Sequence, residues 1–135
     1  MNIAPYTLKT TRLTVQPALI AAYAELTNDF NPIHLDPEFA ARTPMRGVIA
    51  HGTMSIGLIW QSLQRSLGAE AFAGAMLDVR FIKPVRLGEV LVAGGQERFG
   101  EPGVYDVWVR AEKSDSCEAG ERIVGTVSVP TQPHL

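Results

Sequence analysis

From His51-Gly52-Thr53 to Leu67-Gly68, the residues Met54, Ile56, Leu58, Ile59, Leu63 and Leu67 recur at helical spacing yet occupy more than one face of the helix. Such a helix is stable in water only when other elements cover most of its circumference. The cover follows directly in the sequence. Ala75 to Pro84, Val90 to Arg98, Val104 to Lys113 and Arg122 to Val129 read as strands, with a turn around Leu87-Gly88-Glu89. Two of them alternate: Tyr105, Val107, Val109 and Ala111, then Ile123, Gly125, Val127 and Val129. An alternating strand offers one apolar face for burial. The economical arrangement is α+β, with one antiparallel sheet wrapped around one long helix that stops at Gly68.

The part before that helix is less regular. Tyr6 to Val15 carries short strand-like pieces. Leu19, Ile20, Tyr23, Ala24 and Leu26 predict a helix over about Pro17 to Thr27, with Pro17 in its first turn. It should end near Asn28, because Asn31-Pro32 favours extended or turn backbone. A second helical piece is expected from Asp36 to Arg42, with Asp36 as N-cap and Pro37 first in the helix. A loop, Thr43-Pro44-Met45-Arg46-Gly47, and a brief apolar run, Val48 to Ala50, lead into the long helix. No internal repeat or linker divides the chain, so one domain over 1–135 is expected.

Composition removes several functional classes. Hydrophobic residues make up 46% and charged residues 19%, which marks a globular chain. The formal net charge of -2 gives no broad footprint for nucleic acid. Cys117 is the single cysteine, in a polar turn-like stretch, so an internal disulfide and multi-thiolate zinc sites are excluded. The first residues lack the basic start and apolar run of a secretory leader, and no apolar run approaches the ~20 residues needed to span a bilayer. A cytoplasmic address without membrane contact is the expectation. His34, His51 and His134 are not spaced as a ligand set, so no metal is expected.

The chemistry concentrates between Thr27 and Ser55. Thr27-Asn28-Asp29-Phe30-Asn31-Pro32-Ile33-His34 is followed by Ala50-His51-Gly52-Thr53. Asp29 and His34 do not share a face of a continuous helix. The break at Asn31-Pro32 lets a turn fold both side chains toward one point, and Asn31 can hold that turn through backbone hydrogen bonds. A lone Asp or His is ordinarily a local cap or a half-buried residue; a carboxylate paired with an imidazole can orient one water and move its proton. His51-Gly52-Thr53 stands at the start of the long helix, whose unpaired N–H groups can stabilise negative charge on an oxygen. Gly52 leaves the backbone open to close approach. His51 can contact substrate or simply buttress the loop. Lys83 and Arg86 form a weak basic group that would suit phosphates, or a solvated loop edge.

Tyr23, Leu26, Thr27, Asp29, Asn31, Pro32, His34 and Ala40, with His51-Gly52 and the run from Arg80 to Glu89, resemble the MaoC-like hydratase and dehydratase family, which includes the (R)-specific enoyl-CoA hydratases. The resemblance covers roughly Val15 to Val92. It implies a hot-dog fold, an antiparallel sheet wrapped around a long central helix, and a homodimer or higher assembly whose sheets join. It implies reversible hydration of trans-2-enoyl thioesters of CoA or acyl carrier protein to (3R)-3-hydroxyacyl thioesters. CoA or phosphopantetheine is then part of the substrate and no further cofactor is needed. Asp29 and His34 would activate water, and the Gly52 N–H would polarise the thioester carbonyl. Asn31, His51, Thr53, Lys83 and Arg86 would support or contact substrate. The family usually has glycine where this chain has Asn28, a residue that tolerates left-handed backbone.

Two other readings use the same fold. One is a hot-dog acyl thioesterase, against which the Asp-x-Asn-Pro-x-His loop argues. The other is one subunit of a hetero-oligomeric dehydratase, or a thioester-binding accessory protein. Possession of both Asp29 and His34 favours the active kind of subunit.

Overall fold

A computed structural model describes residues 5–130. Along the chain lie β1 (Thr11–Thr14), α1 (Pro17–Thr27), α2 (Pro32–Leu35), α3 (Pro37–Ala41), α4 (Gly52–Leu67), a 3-10 turn at Ala69–Phe72, β2 (Met76–Phe81), β3 (Val90–Glu97), β4 (Val104–Ala111) and β5 (Gly120–Ser128). The five strands form one antiparallel sheet in the order β1-β3-β4-β5-β2. It wraps around α4 as a hot-dog fold.

The register explains the core. Leu91 pairs with Ala111 and Ala93 with Val109 across β3 and β4, and Val109 pairs with Ile123 across β4 and β5. All of these side chains are buried, with Leu58, Ile59 and Leu63 of α4 against them. The alternation of Tyr105, Val107, Val109 and Ala111 thus becomes the inner face of β4. No described helix is long and apolar enough to cross a membrane.

One irregularity in β5 buries a charge. The β4–β5 register shifts between Val109 and Arg110, so Val109 faces Ile123 while Arg110 faces Glu121. Arg122 is the extra residue, and such a bulge lets two consecutive side chains turn inward. Its guanidinium is 3% exposed and holds both oxygens of the buried Glu89 at 3.1 and 3.3 Å. It also donates to the Gly120 and Glu118 carbonyls.

The segment from Asn28 to Leu35 folds more tightly than a simple turn. Asn28 ends α1 in left-handed backbone (φ 55°, ψ 34°), the geometry its side chain tolerates. Asn31 then caps α2, its Oδ1 accepting from Ile33 N–H at 3.0 Å, and Pro32 takes the first helical position. The proline therefore opens a one-turn helix as well as closing off the one before. Asp36 caps α3 as expected, accepting from the N–H groups of Glu38 and Phe39. β2 ends at Phe81, short of Pro84, because the N–H groups of Ile82 and Lys83 both turn to the Arg122 carbonyl.

Candidate active site

Asp29 leaves the end of α1 with its N–H on the Ala24 carbonyl at 3.0 Å. Its Oδ1 accepts from Asn31 N–H at 3.2 Å, which aims the other oxygen away from the loop. That oxygen, Oδ2, stands 4.0 Å from Nε2 of His34. The Asp29 side chain is half exposed, whereas His34 is 11% exposed. His34 Nδ1 lies 2.7 Å from the carbonyl oxygen of Ile49. A carbonyl only accepts, so Nδ1 carries the proton and donates it, and Nε2 is the atom left to gain or lose one.

Ile49 is itself fixed. Its N–H donates to the Ile33 carbonyl, it bridges to Arg86, and Ala50 N–H donates to Val85. The run from Val48 to Ala50 thus becomes a strap that sets the imidazole's tautomer.

His51, only 2% exposed, caps the arrangement from below. Its Nε2 lies 3.0 Å from the Asp29 carbonyl oxygen, so this nitrogen donates and ties the start of α4 to the loop that carries Asp29. Its ring stacks on His34 with centroids 3.9 Å apart and 25° between planes, and Tyr23 leans on its other side. Asp29, His34 and His51 bring one potential ligand atom each to within 4.8 Å of one another, a convergence the sequence spacing did not suggest. The two imidazoles stack on each other, and the buried Nδ1 of His51 has no hydrogen-bond partner among the described residues. His134 lies outside the described residues.

Gly52 is the first residue of α4, where a backbone N–H has no acceptor within the helix. A Cβ there would stand 2.8 Å from Cε1 of Phe81, so glycine is what lets that ring lie against the helix start. Gly52 and His34 line a cleft of about 340 Å³ with Ser55, Lys83 and apolar walls that include Met45, Ile49, Phe81 and Ile123. Of the remaining sequence candidates, Thr53 and Arg86 are engaged elsewhere and Lys83 is not. Thr53 Oγ1 accepts from the Tyr23 hydroxyl at 2.7 Å. Arg86 donates to the Met45 carbonyl at 2.5 Å. Lys83 stands on the cleft wall, 3.9 Å from Glu118. Ser55, Phe81 and Ile123 were not singled out from sequence. Ser55 left a signal as a hydroxyl on the apolar helix three residues after Gly52, and Phe81 lies in the family-like run from Arg80 to Glu89.

The MaoC-like domain model matches residues 4–102. The chain is 40% identical over 105 residues to a 3-hydroxybutyryl-CoA dehydratase of Methylorubrum extorquens, covering 78% of this chain and 64% of that protein. It is 37% identical over 76 residues to an (R)-specific enoyl-CoA hydratase of Aeromonas caviae, covering 56% of this chain and 57% of that one. The chain thus spans between half and two thirds of the length of these curated relatives. The solved (R)-hydratase of A. caviae superposes with a TM-score of 0.68 at 25% identity, over 96% of this chain and 98% of that one. An R-hydratase of Pseudomonas aeruginosa shares the fold, with a TM-score of 0.69 at 22% identity over 97% and 84% of the two chains. Together with the Asp29–His34 pair on its Asn31-Pro32 turn and the sheet around α4, the match over most of its length means that the chain belongs to the MaoC-like domain family.

Proposed function

We propose that this chain is a hydro-lyase that adds water to trans-2-enoyl thioesters, or removes it from (3R)-3-hydroxyacyl thioesters. The observation that carries this reading is the 4.0 Å gap between Asp29 Oδ2 and His34 Nε2, where His34 lines one cleft with Gly52, the first residue of α4. At that spacing one water can donate to Asp29 Oδ2 and accept from a protonated His34 Nε2, through hydrogen bonds of ~2.8 Å each. The water's remaining lone pair is then free to attack.

In hydration, Asp29 takes a proton from the water as its oxygen bonds to carbon 3. The electron pair of the double bond moves toward the thioester oxygen, which the Gly52 N–H stabilises. His34, protonated on Nε2, gives that proton to carbon 2, and the pair of electrons returns to form the new C–H bond. The proton held by Asp29 then passes across the short gap to His34, which restores both groups. The sum is one water consumed, with hydroxyl at carbon 3 and hydrogen at carbon 2. His51 positions Asp29 and stays out of contact with substrate.

The thioester is carried by CoA or by acyl carrier protein, with Lys83 at the cleft wall toward the phosphates. No metal and no separate cofactor take part. The active form is a dimer, and the reading is supported by the exposed Met76 and Phe81 on the edge strand β2, Phe81 also walling the cleft.

The test is the disappearance of enoyl absorbance with crotonyl-CoA, run beside an assay for free thiol that reports hydrolysis. Asp29→Asn and His34→Ala should each lose most hydration while keeping the wild-type circular dichroism spectrum. Near wild-type turnover by both variants, or thiol release in place of hydration, rejects the assignment.

A further inference from the structure

We infer that Ser55 is a second donor to the thioester oxygen, a catalytic residue that works beside the Gly52 N–H; this rests on the hydratase reading above. Three serines lie on α4, and they differ in one respect. Ser62 donates to the Lys9 carbonyl at 2.5 Å, and Ser66 donates to the Ser62 carbonyl at 2.7 Å. Ser55 is as buried as Ser62, at 1% exposure, yet its Oγ has no partner among the described residues. It faces the cleft that holds His34 and Gly52.

A buried hydroxyl without a partner destabilises the fold. A serine within a helix has an ordinary remedy, a bond to the carbonyl one turn back, as Ser66 shows. Ser55 does not use it. The cleft lining is mostly apolar, including Ala50, Val85 and Ile123, and no described side chain hydrogen-bonds the hydroxyl. A polar atom of the bound molecule is the partner left for it.

The position identifies that atom. Residues three apart on a helix stand on one face, about 5–6 Å from each other. The Cα–Cβ bond of Ser55 tilts toward the helix N-terminus, which leans the hydroxyl back toward Gly52. Two donors so placed fit on either side of a single oxygen, each at ~2.7–3.1 Å. The oxygen that Gly52 is placed to polarise is the thioester carbonyl. The hydroxyl also sits one turn inside the helix, where the aligned N-terminal dipoles favour negative charge on the same oxygen.

The experiment compares wild type, Ser55→Ala and Ser55→Thr for crotonyl-CoA hydration. Ser55→Ala should lower kcat by about 100-fold with KM nearly unchanged, the pattern of a contact made chiefly in the transition state. It should melt no lower than wild type, because it removes an unanswered hydroxyl. Ser55→Thr keeps the hydroxyl and should recover much of kcat. In an Asp29→Asn background that binds without turnover, the carbonyl stretch of bound crotonyl-CoA should move to higher frequency when Ser55 becomes Ala. Unchanged kcat, a rise in KM alone, or an unmoved carbonyl stretch overturns the assignment while leaving the hydratase reading intact. A wild-type protein without hydration activity overturns both.

Discussion

At the scale of single residues, the site is a set of hydrogen bonds that each remove one degree of freedom. Asn31 fixes one oxygen of Asp29, Ile49 fixes the tautomer of His34, and His51 fixes the backbone of Asp29. Of these, His51 is the one whose role can be separated from packing. His51→Phe keeps a ring to stack on His34 but loses the N–H on the Asp29 carbonyl. Small displacements of a reacting group are costly, on the order of 100-fold in rate per ångström. We expect His51→Phe to lower kcat by about 10- to 100-fold with little change in KM, and His51→Gln, which can restore a donor, to regain part of the loss. Steady-state kinetics on the three proteins checks this. Equal activity in all of them means that the hydrogen bond on Asp29 is idle. The pairing of Asp29 and His34 was legible in sequence because a Pro-broken turn leaves few ways to place them. His51 was ambiguous because nothing local in Ala50-His51-Gly52 reveals that its ring will lie on His34, from a different segment of the chain.

At the scale of elements, the helices and strands that were read correctly are those whose patterns are local. α1, α3 and α4 carry their own proline or cap signals, and β4 carries its own alternation. What stayed hidden depends on pairing between distant segments. The bulge that buries Arg122 arises from the fit of β5 to β4, and Glu89 meets it from the turn before β3. The pair joins the two strands at the same end of the sheet. Both groups are satisfied, so removing one partner leaves a buried, uncompensated charge, a loss of about 3–5 kcal/mol. That is a large share of the ~5–15 kcal/mol that stabilises a domain of ordinary size. Glu89→Ala should therefore lower the urea midpoint sharply, and Glu89→Leu with Arg122→Met should recover much of the loss. If Glu89→Ala unfolds at the wild-type midpoint, the pair contributes nothing and the bulge needs another explanation.

At the scale of the whole molecule, β2, one of the sheet's two edge strands, is the feature that the single chain leaves unresolved. Among the described residues β2 pairs only with β5, and it presents Met76 at 72% exposure and Phe81 at 59%, with Ile82 beyond its end at 48%. An unpaired strand edge flanked by exposed apolar side chains invites another strand beside it, although β2 also exposes Asp78 and Arg80. A second copy related by a two-fold axis meets that need, because each β2 can then cover the other. The same strand bears on chemistry: Phe81 lies against Gly52, and Phe81 and Ile82 both wall the cleft. Covering this edge therefore also shields the cleft from water, which strengthens the hydrogen bonds offered to the thioester oxygen. Sedimentation of the purified chain should give twice the chain mass. Met76→Lys, with a charge on that edge, should shift the protein toward monomer and lower kcat/KM by about tenfold or more, with both effects relieved together at high protein concentration. A Met76→Lys monomer that hydrates crotonyl-CoA at the wild-type rate breaks the link between edge and site. A wild-type chain that is monomeric and inactive until a different chain is added makes that chain the partner of β2.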